Sequence, residues 1–404
     1  MIVHNVLLKE MNTDAKRDLG VYIHIPFCAK KCDYCDFLSG PSSKEVIEEY
    51  FEALYLEIEQ YSDYSELYTI STIFIGGGTP SVVDSSYIEG IMEKLMRVFH
   101  IDQTRLEATI EINPGTVSRE KLLAYKRAGI NRISFGLQST NNEELKLLGR
   151  IHTYEQFEQN YHLARELGFL NINIDLMSAL PGQTLENWTE TLNKVIQLSP
   201  EHISAYSLII EEGTKFYERY QEGSPGSKLL PNEETDRFMY SQTKSILKEN
   251  GYLRYEISNY AKQGFECKHN VSYWIGTEYL GIGLGASSYI GGARFSNIDE
   301  VEEYIQLCKQ SNNSKIELMD IRREYTELTK EEKMEEFMFL GLRICDGISK
   351  KEFSRRFITP IEEIYGSIIQ ELKLKKLIEE EGDNIKLTEY GLDISNYVLA
   401  EFLL

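Results

Sequence analysis

The 404-residue sequence predicts an α/β protein: a partial (β/α)6 barrel of parallel strands, followed by a helical, winged-helix-like domain. Three observations predict this class. Short apolar runs typical of strands alternate with amphipathic stretches long enough for helices. The strands run into glycine, proline, cysteine or polar residues, as at the rim where ligands bind in a parallel barrel. From Thr329 the composition shifts to charged, amphipathic helices.

Six βα units account for the predicted barrel. The strands are YIHI from Tyr22, TIFI from Thr72, TIEI from Thr109, RISF from Arg132, NINI from Asn171 and HISAYSL from His202. Helices are predicted over 43–60, 87–99, 119–128, 154–167 and 185–198. This alternation requires parallel strands joined by right-handed crossovers, so the carboxyl ends of the strands form one rim.

The second half of the chain continues the sheet and then changes character. A helix over 232–250 precedes GYLRYEISNYAKQ, whose alternation predicts one half-buried strand of the same sheet. We expect the barrel unit to span 15–300, a connecting segment 301–328, and a C-terminal domain 329–404. In that domain a helix, two further helices, a hairpin turning at Gly382-Asp383 and a final helix predict a winged helix.

Charge and hydropathy exclude several classes of function. The 43 basic and 64 acidic residues give a net charge of -21, which disfavours nucleic acid as a partner. In the winged helix, the acidic triplet 379–381 at the predicted turn likewise favours a packing role over DNA binding. No run of about 18 apolar residues predicts a transmembrane segment, and the first 20 residues lack a secretory pattern. We therefore expect a cytoplasmic protein.

Cys28, Cys32 and Cys35 form a C-x3-C-x2-C motif, in which three thiolates can bind three irons of a 4Fe-4S cluster. The fourth iron is then open to the amino and carboxylate groups of S-adenosylmethionine. This spacing resembles the signature of the radical S-adenosylmethionine (radical SAM) superfamily, in which Tyr34 would lie against the adenine. The alternative is a tetrahedral zinc site that recruits His24, or Cys267 and His269, as a further ligand.

Polar and glycine residues at the strand ends support the cluster reading. Gly76-Gly77-Gly78-Thr79-Pro80 lets side-chain-free backbone approach a ligand, although an ordinary turn is the alternative. Four side chains can bind ribose hydroxyls, a carboxylate or a second ligand: Glu111, Gln138, Arg150 and Asp175. Singly, each could instead be a solvated or salt-bridged residue.

The combined motifs resemble the coproporphyrinogen oxidase-like radical SAM enzymes. They are HIPFC, the C-x3-C-x2-C-D-F pattern, IFIGGGTPS, EINPG, RISFGLQS, LLGRIH, NIDLMSALPGQT, HISAYSL, GLRICDGI and LTEYGL. The resemblance implies a radical SAM partial (β/α)6 TIM-like barrel. Two groups differ within it. The oxygen-independent coproporphyrinogen III oxidases carry a fourth cysteine where Phe37 stands, and Cys267–Trp274 reproduces the HNxxYW motif of the HemW heme chaperones.

The similarity to HemW implies a 4Fe-4S cluster, S-adenosylmethionine and heme as cargo. It implies S-adenosylmethionine contacts at eight positions: Tyr22, Gly77, Gly78, Thr79, Glu111, Gln138, Arg150 and Asp175. It also implies a reductant for the cluster and acceptor hemoproteins, including respiratory, membrane-bound ones. Phe37 argues against coproporphyrinogen oxidase activity, which stays the alternative function, and a zinc-stabilised interaction protein is a third hypothesis.

His269 and Cys267 are the candidate axial ligands for heme iron, because imidazole and thiolate both bind it. The alternative is that His269 and Asn270 form a buried, hydrogen-bonded corner in which Tyr273 and Trp274 fill the core. Many relatives carry histidine where this chain has Ser287, so a ligand supplied there would be absent.

Overall fold

Parallel strands in sequence order form the centre of the structure, a computed structural model that describes residues 16–99, 101–310 and 318–404. The strands are β1 (Arg17–Ile25), β2 (Tyr68–Gly77), β3 (Glu107–Ile112), β4 (Arg132–Gln138), β5 (Ile172–Ser178) and β6 (His202–Ser207). Each pairs in parallel with the next, as the βα alternation predicts. The predicted partial (β/α)6 barrel is confirmed.

The crossover helices follow the predicted spans closely, except for the short helix Asn142–Leu147, which was not predicted. They are α1 (Lys44–Gln60), α2 (Ser85–Val98), α3 (Arg119–Arg127), α4 (Asn142–Leu147), α5 (Tyr154–Glu166) and α6 (Leu185–Leu198). Side-chain caps set their starts: the Ser43 hydroxyl accepts from the Val46 N–H at 3.3 Å, and Thr153 forms a capping box with Gln156. After β6 come α7 (Lys215–Tyr220) and α8 (Glu233–Glu249).

Additional strands extend the sheet on both sides of β1–β6. They are β7 (Leu253–Arg254), β8 (Asn259–Ala261), β9 (Tyr279–Ile282), β10 (Ser287–Ile290), β11 (Ala293–Asn297) and β12 (Arg322–Glu327). β8 pairs antiparallel with β6, and β9 pairs parallel with β1. Between β8 and β9 lies the short helix α9 (Lys268–Trp274). In the described part of the chain, β1 and β6 therefore have these outer neighbours and do not pair with each other.

Two predictions for this region need correction. GYLRYEISNYAKQ is not one strand: it folds back on itself as β7 and β8, which pair antiparallel around 255–258. The expected connecting segment 301–328 is not a simple linker. Its described residues form α10 (Val301–Gln310) and β12, and β12 pairs with β11 in the main sheet. Residues 311–317 of that segment, and residues 15 and 100 of the predicted barrel unit, lie outside the described residues.

The C-terminal unit has its own apolar core. Its elements are α11 (Lys330–Gly341), β13 (Ile348–Ser349), α12 (Lys350–Phe357), α13 (Ile361–Leu374), β14 (Ile378–Glu381), β15 (Asn384–Leu387), α14 (Glu389–Asp393) and α15 (Ser395–Ala400). This order matches the predicted winged helix, except that two short helices replace the single final helix. The acidic residues 379–381 lie in strand β14 rather than in the turn, and Lys373 pairs with Glu380 at 3.0 Å.

A buried carboxyl group, Glu57 of α1, joins the barrel to the added strands. It accepts hydrogen bonds from the backbone N–H of Gly283 at 2.9 Å, the Asn297 amide at 2.8 Å and the Tyr304 hydroxyl at 2.5 Å. The Tyr61 hydroxyl donates a further bond at 3.3 Å. Burial raises the Glu57 pKa. Four donors from separate segments thus depend on one side chain.

Glu57→Ala should lower the free energy of unfolding by about 3 kcal/mol or more, because it leaves buried hydrogen-bond donors without an acceptor. Glu48→Ala, on the exposed face of the same helix, should cost about 0.5 kcal/mol at most. Denaturant unfolding of both variants measures the difference. Equal losses would show that the Glu57 bonds carry no special weight.

Candidate metal and cofactor site

A cavity of about 440 Å³ opens at the carboxyl ends of the parallel strands. Its lining includes all three motif cysteines and seven of the eight residues predicted to contact S-adenosylmethionine. These are Cys28, Cys32, Cys35, Gly77, Gly78, Thr79, Glu111, Gln138, Arg150 and Asp175. Parallel strands bring their carboxyl ends to one rim, so residues up to 147 positions apart in sequence line a single site.

Backbone hydrogen bonds hold the cysteine loop over this rim. The Cys28 N–H donates to the Gly40 carbonyl at 3.0 Å, and the Asp33 N–H donates to the Leu148 carbonyl at 3.1 Å. The Asp33 carboxylate pairs with Arg219 at 2.9 Å and Lys215 at 3.2 Å. The loop is thereby tied both to the segment after α4 and to α7.

The arrangement of thiols fits a cluster better than a single zinc ion. Each thiolate of a cubane binds a different iron, so the three sulfurs need not converge on one point. Among the described residues, no three His, Cys, Asp or Glu side chains are grouped to hold one ion. His24 is engaged elsewhere: its Nε2–H donates to the Leu38 carbonyl at 2.9 Å, and Nδ1 accepts from the Tyr22 hydroxyl at 3.0 Å.

Two of the cysteine sulfurs accept hydrogen bonds from residues that also line the cavity. The Thr79 hydroxyl donates to the Cys28 sulfur at 3.4 Å, and Arg150 donates to the Cys32 sulfur at 3.6 Å. These contacts hold both sulfurs at the cavity, where they can bind iron.

The three glycines after β2 have no room for side chains. A Cβ atom at Gly76 would lie 2.7 Å from Glu111, and one at Gly77 would lie 2.6 Å from the His24 ring. At Gly78 it would lie 2.7 Å from the Phe27 carbonyl oxygen, which is backbone and cannot move aside. Gly77 also has φ +106, in the region that favours glycine. Each glycine therefore allows a different close approach: to the Glu111 side chain at Gly76, to the His24 ring at Gly77, and to the backbone before Cys28 at Gly78.

Glu111 and Asp175 form a half-buried acidic pair on the cavity wall. Burial, with Asp175 nearby, raises the pKa of Glu111 to about 8, and burial also raises the Asp175 pKa. Glu111 accepts from the Gly77 N–H at 3.1 Å. Two acids with raised pKa values facing a cavity favour a cationic ligand, because a positive charge would stabilise their ionised forms.

Gln138 and Arg150 are fixed by contacts around the end of β4. Gln138 has φ +73, a left-handed conformation that costs energy for a residue with a side chain. Its amide oxygen accepts from the Tyr206 hydroxyl at 2.8 Å, and Arg150 donates to the Gly136 carbonyl. The strained backbone at Gln138 holds its side chain at the cavity rather than along the strand.

Two predicted site residues differ from expectation. Tyr22 is not among the residues that line the cavity. It is mostly buried inside β1, its hydroxyl donates to His24, and its ring lies 6.4 Å from that of Phe74. Asp175 lies inside β5 rather than at its end, yet it still lines the cavity. The sequence reasoning also missed Tyr206, whose position in the polar end of HISAYSL is the signal that could have identified it.

The structure places His269 and Cys267 away from the cysteine cavity. His269 is only 1% exposed, and its ring bonds to the Thr72 hydroxyl at 2.8 Å and the Tyr273 hydroxyl at 2.9 Å. Burial and Arg132 lower its pKa to about 3. Because both ring nitrogens are occupied, this arrangement favours the buried-corner interpretation over an axial ligand. Cys267 is fully buried as well, and burial raises its pKa to about 12.

Ser287 is exposed at the start of β10 and is not among the residues that line the cysteine cavity. A ligand at this position would therefore not face that cavity. Among the described helices, none combines the length and apolar character that a membrane span requires.

Comparison with known proteins agrees with the motifs. The sequence model of the radical SAM superfamily matches residues 22–195, and that of the HemN C-terminal domain matches 328–394. The heme chaperone HemW of Bacillus subtilis is 38% identical over 384 residues, covering 95% of this chain and 99% of the relative. The heme chaperone HemW of Lactococcus lactis is 38% identical over 385 residues, which cover 95% of this chain and 97% of the relative. This chain belongs to the HemW family.

Membership of the HemW family within the radical SAM superfamily brings a 4Fe-4S cluster and S-adenosylmethionine as cofactors. The fold is shared with coproporphyrinogen III oxidase HemN from Escherichia coli: TM-score 0.83, 22% identity, covering 99% of this chain and 92% of that one. At that identity the likeness shows the fold alone.

Stability should fall as pH rises from about 5 to about 8, because the unfolded Glu111 loses its proton near 4.5 and the folded one near 8. In that window the folded protein binds more protons than the unfolded chain, so unfolding becomes easier with rising pH. Glu111→Gln should make the decline shallower. Denaturant unfolding of the cofactor-free protein at several pH values measures it, and an unchanged slope would contradict the raised pKa.

Proposed function

We propose that this protein is a heme chaperone that carries a 4Fe-4S cluster on Cys28, Cys32 and Cys35 and binds S-adenosylmethionine beside it. One observation carries the proposal: the three thiols and seven predicted contact residues line one cavity. A bound, reduced cluster of this kind supplies the electron that cleaves the sulfonium bond of S-adenosylmethionine. Heme is the cargo, to be transferred to acceptor hemoproteins.

Different residues of the cavity would bind different parts of S-adenosylmethionine. The backbone of Gly77 and Gly78 offers amides and carbonyls at close range, since no Cβ intervenes. The acidic pair Glu111 and Asp175 suits the cationic ligand and its hydroxyls. Gln138 and Arg150 offer donors for its carboxylate, and the Arg150 Nε has no partner among the described residues. Tyr22 acts indirectly, by holding His24.

The mouth of the same cavity suits a heme. Phe37 and Ile209 line it and are 60% and 68% exposed, an unusual position for large apolar side chains. Lys30 and Lys31 lie in the same lining and are exposed. A flat apolar macrocycle with carboxylates matches this combination, because the apolar side chains can cover the ring and the lysines can pair with the propionates. We therefore place heme at this mouth rather than at His269 or Cys267.

Phe37 also bears on the alternative function. It occupies the position of the oxidases' fourth cysteine and presents an apolar surface at the mouth. The chaperone function is therefore favoured over oxidative decarboxylation of coproporphyrinogen III. We further propose that a cellular reductant serves the cluster, that the acceptors include respiratory, membrane-bound hemoproteins, and that the protein works in the cytoplasm. The separate core supports a C-terminal domain beginning at Thr329.

Phe37→Ser combined with Ile209→Ser should weaken heme binding at least about tenfold, since two apolar contacts are lost. Leu170→Ser, which removes a side chain that is 74% exposed and is not part of the cavity lining, is the matched control and should leave it unchanged. Heme titration followed by the Soret band measures affinity.

Cys28→Ser should retain heme while losing the cluster.

The contradicting results are distinct. If the Phe37→Ser, Ile209→Ser variant binds heme as tightly as the unmodified protein and His269→Ala binds it more weakly, heme lies at the HNxxYW segment. Sustained conversion of coproporphyrinogen III under anaerobic, reducing conditions would instead establish the oxidase alternative.

A further inference from the structure

A chain of hydrogen bonds runs from the cavity wall into the barrel interior. Asp175 accepts from the Asn173 amide at 2.8 Å, and the Asn173 oxygen lies 2.6 Å from His202 Nδ1. His202 Nε2 lies 2.8 Å from the Tyr255 hydroxyl. That hydroxyl also accepts from the backbone N–H of Cys267 at 3.3 Å. The chain thus ends at the segment that carries the HNxxYW motif.

The direction of each bond is fixed by its neighbours. The Asn173 amide nitrogen donates to both Asp175 and the Ser134 hydroxyl, the latter at 2.8 Å, so its oxygen must face His202. His202 Nδ1 must therefore carry the proton. Nε2 then accepts from Tyr255, whose oxygen is free to accept from Cys267. Every donor in the chain points toward Asp175.

His202 is held neutral, which makes this tautomer essential. It is fully buried, and burial together with the Arg132 guanidinium lowers its pKa well below the ordinary value. A neutral imidazole carries only one N–H. If that proton were on Nε2, the Nδ1 lone pair would face the Asn173 oxygen, and Asn173 would turn its oxygen toward the Asp175 carboxyl.

We propose that His202 is a positioning residue for Asp175, acting through Asn173, so that the carboxyl group faces the cavity with its oxygens presented to S-adenosylmethionine. This rests on the proposed function, in which Asp175 contacts that ligand. His202 does not line the cavity, so its effect is indirect. Packing alone would need a side chain of this size, whereas positioning needs its N–H.

A matched pair of variants separates these roles. His202→Asn keeps an amide N–H near Nδ1, and His202→Leu has a similar volume without any donor. Binding of S-adenosylmethionine to anaerobically reconstituted protein is measured by equilibrium dialysis. The leucine variant should bind at least about fivefold more weakly, the asparagine variant within about twofold of the unmodified protein. Iron content should be equal in all three, because the cysteine loop is untouched.

The tautomer itself is read in the unmodified protein by nitrogen NMR with labelled histidine, which decides the proposal even where a variant fails to fold. A proton on His202 Nδ1 is expected, and a proton on Nε2 would overturn the relay. Equal affinity of the two variants would overturn it as well. Failure of the unmodified protein to bind S-adenosylmethionine would instead remove the proposed function on which the inference rests.

Discussion

The close contact between the cysteine loop and the end of β2 is the constraint on which the site depends. The Gly78 N–H donates to the Ile25 carbonyl and the Thr79 N–H donates to the Phe27 carbonyl, both at 2.8 Å. These bonds form only because no Cβ separates the two backbones. The contact fixes Cys28 above the strand ends, and the other strands then bring Glu111, Gln138 and Asp175 to the same rim.

A second consequence of this architecture is electrostatic. The interior of the barrel holds a half-buried acidic pair beside a buried Arg132 and buried, neutral His202 and His269. Without a ligand, burial and the nearby Asp175 raise the pKa of Glu111 to about 8, and burial raises the pKa of Asp175. A cation in the cavity would stabilise the ionised forms of both carboxyl groups. The residues that shape the site therefore also favour a positively charged ligand.

The sequence was sufficient for the features that depend on local patterns. Alternation of apolar runs and amphipathic stretches predicted the central part of each of β1–β6 and every crossover helix except α4. Cysteine spacing with glycine at a strand end located the cavity. The failures came from contacts distant in sequence. GYLRYEISNYAKQ alternates as one strand would, and only pairing of β8 with β6 reveals the fold-back. His269 reads as a ligand until Thr72 and Tyr273 are seen to occupy both nitrogens.

Electron paramagnetic resonance of the reduced, anaerobically reconstituted protein shows whether S-adenosylmethionine binds the cluster. The spectrum is recorded with and without S-adenosylmethionine labelled with nitrogen-15 at its amino group. We expect a 4Fe-4S signal that changes when S-adenosylmethionine is added and shows coupling to the labelled nitrogen, because the ligand binds the open iron. Stoichiometric zinc without sulfide, or a cluster signal that S-adenosylmethionine leaves unchanged, would contradict it.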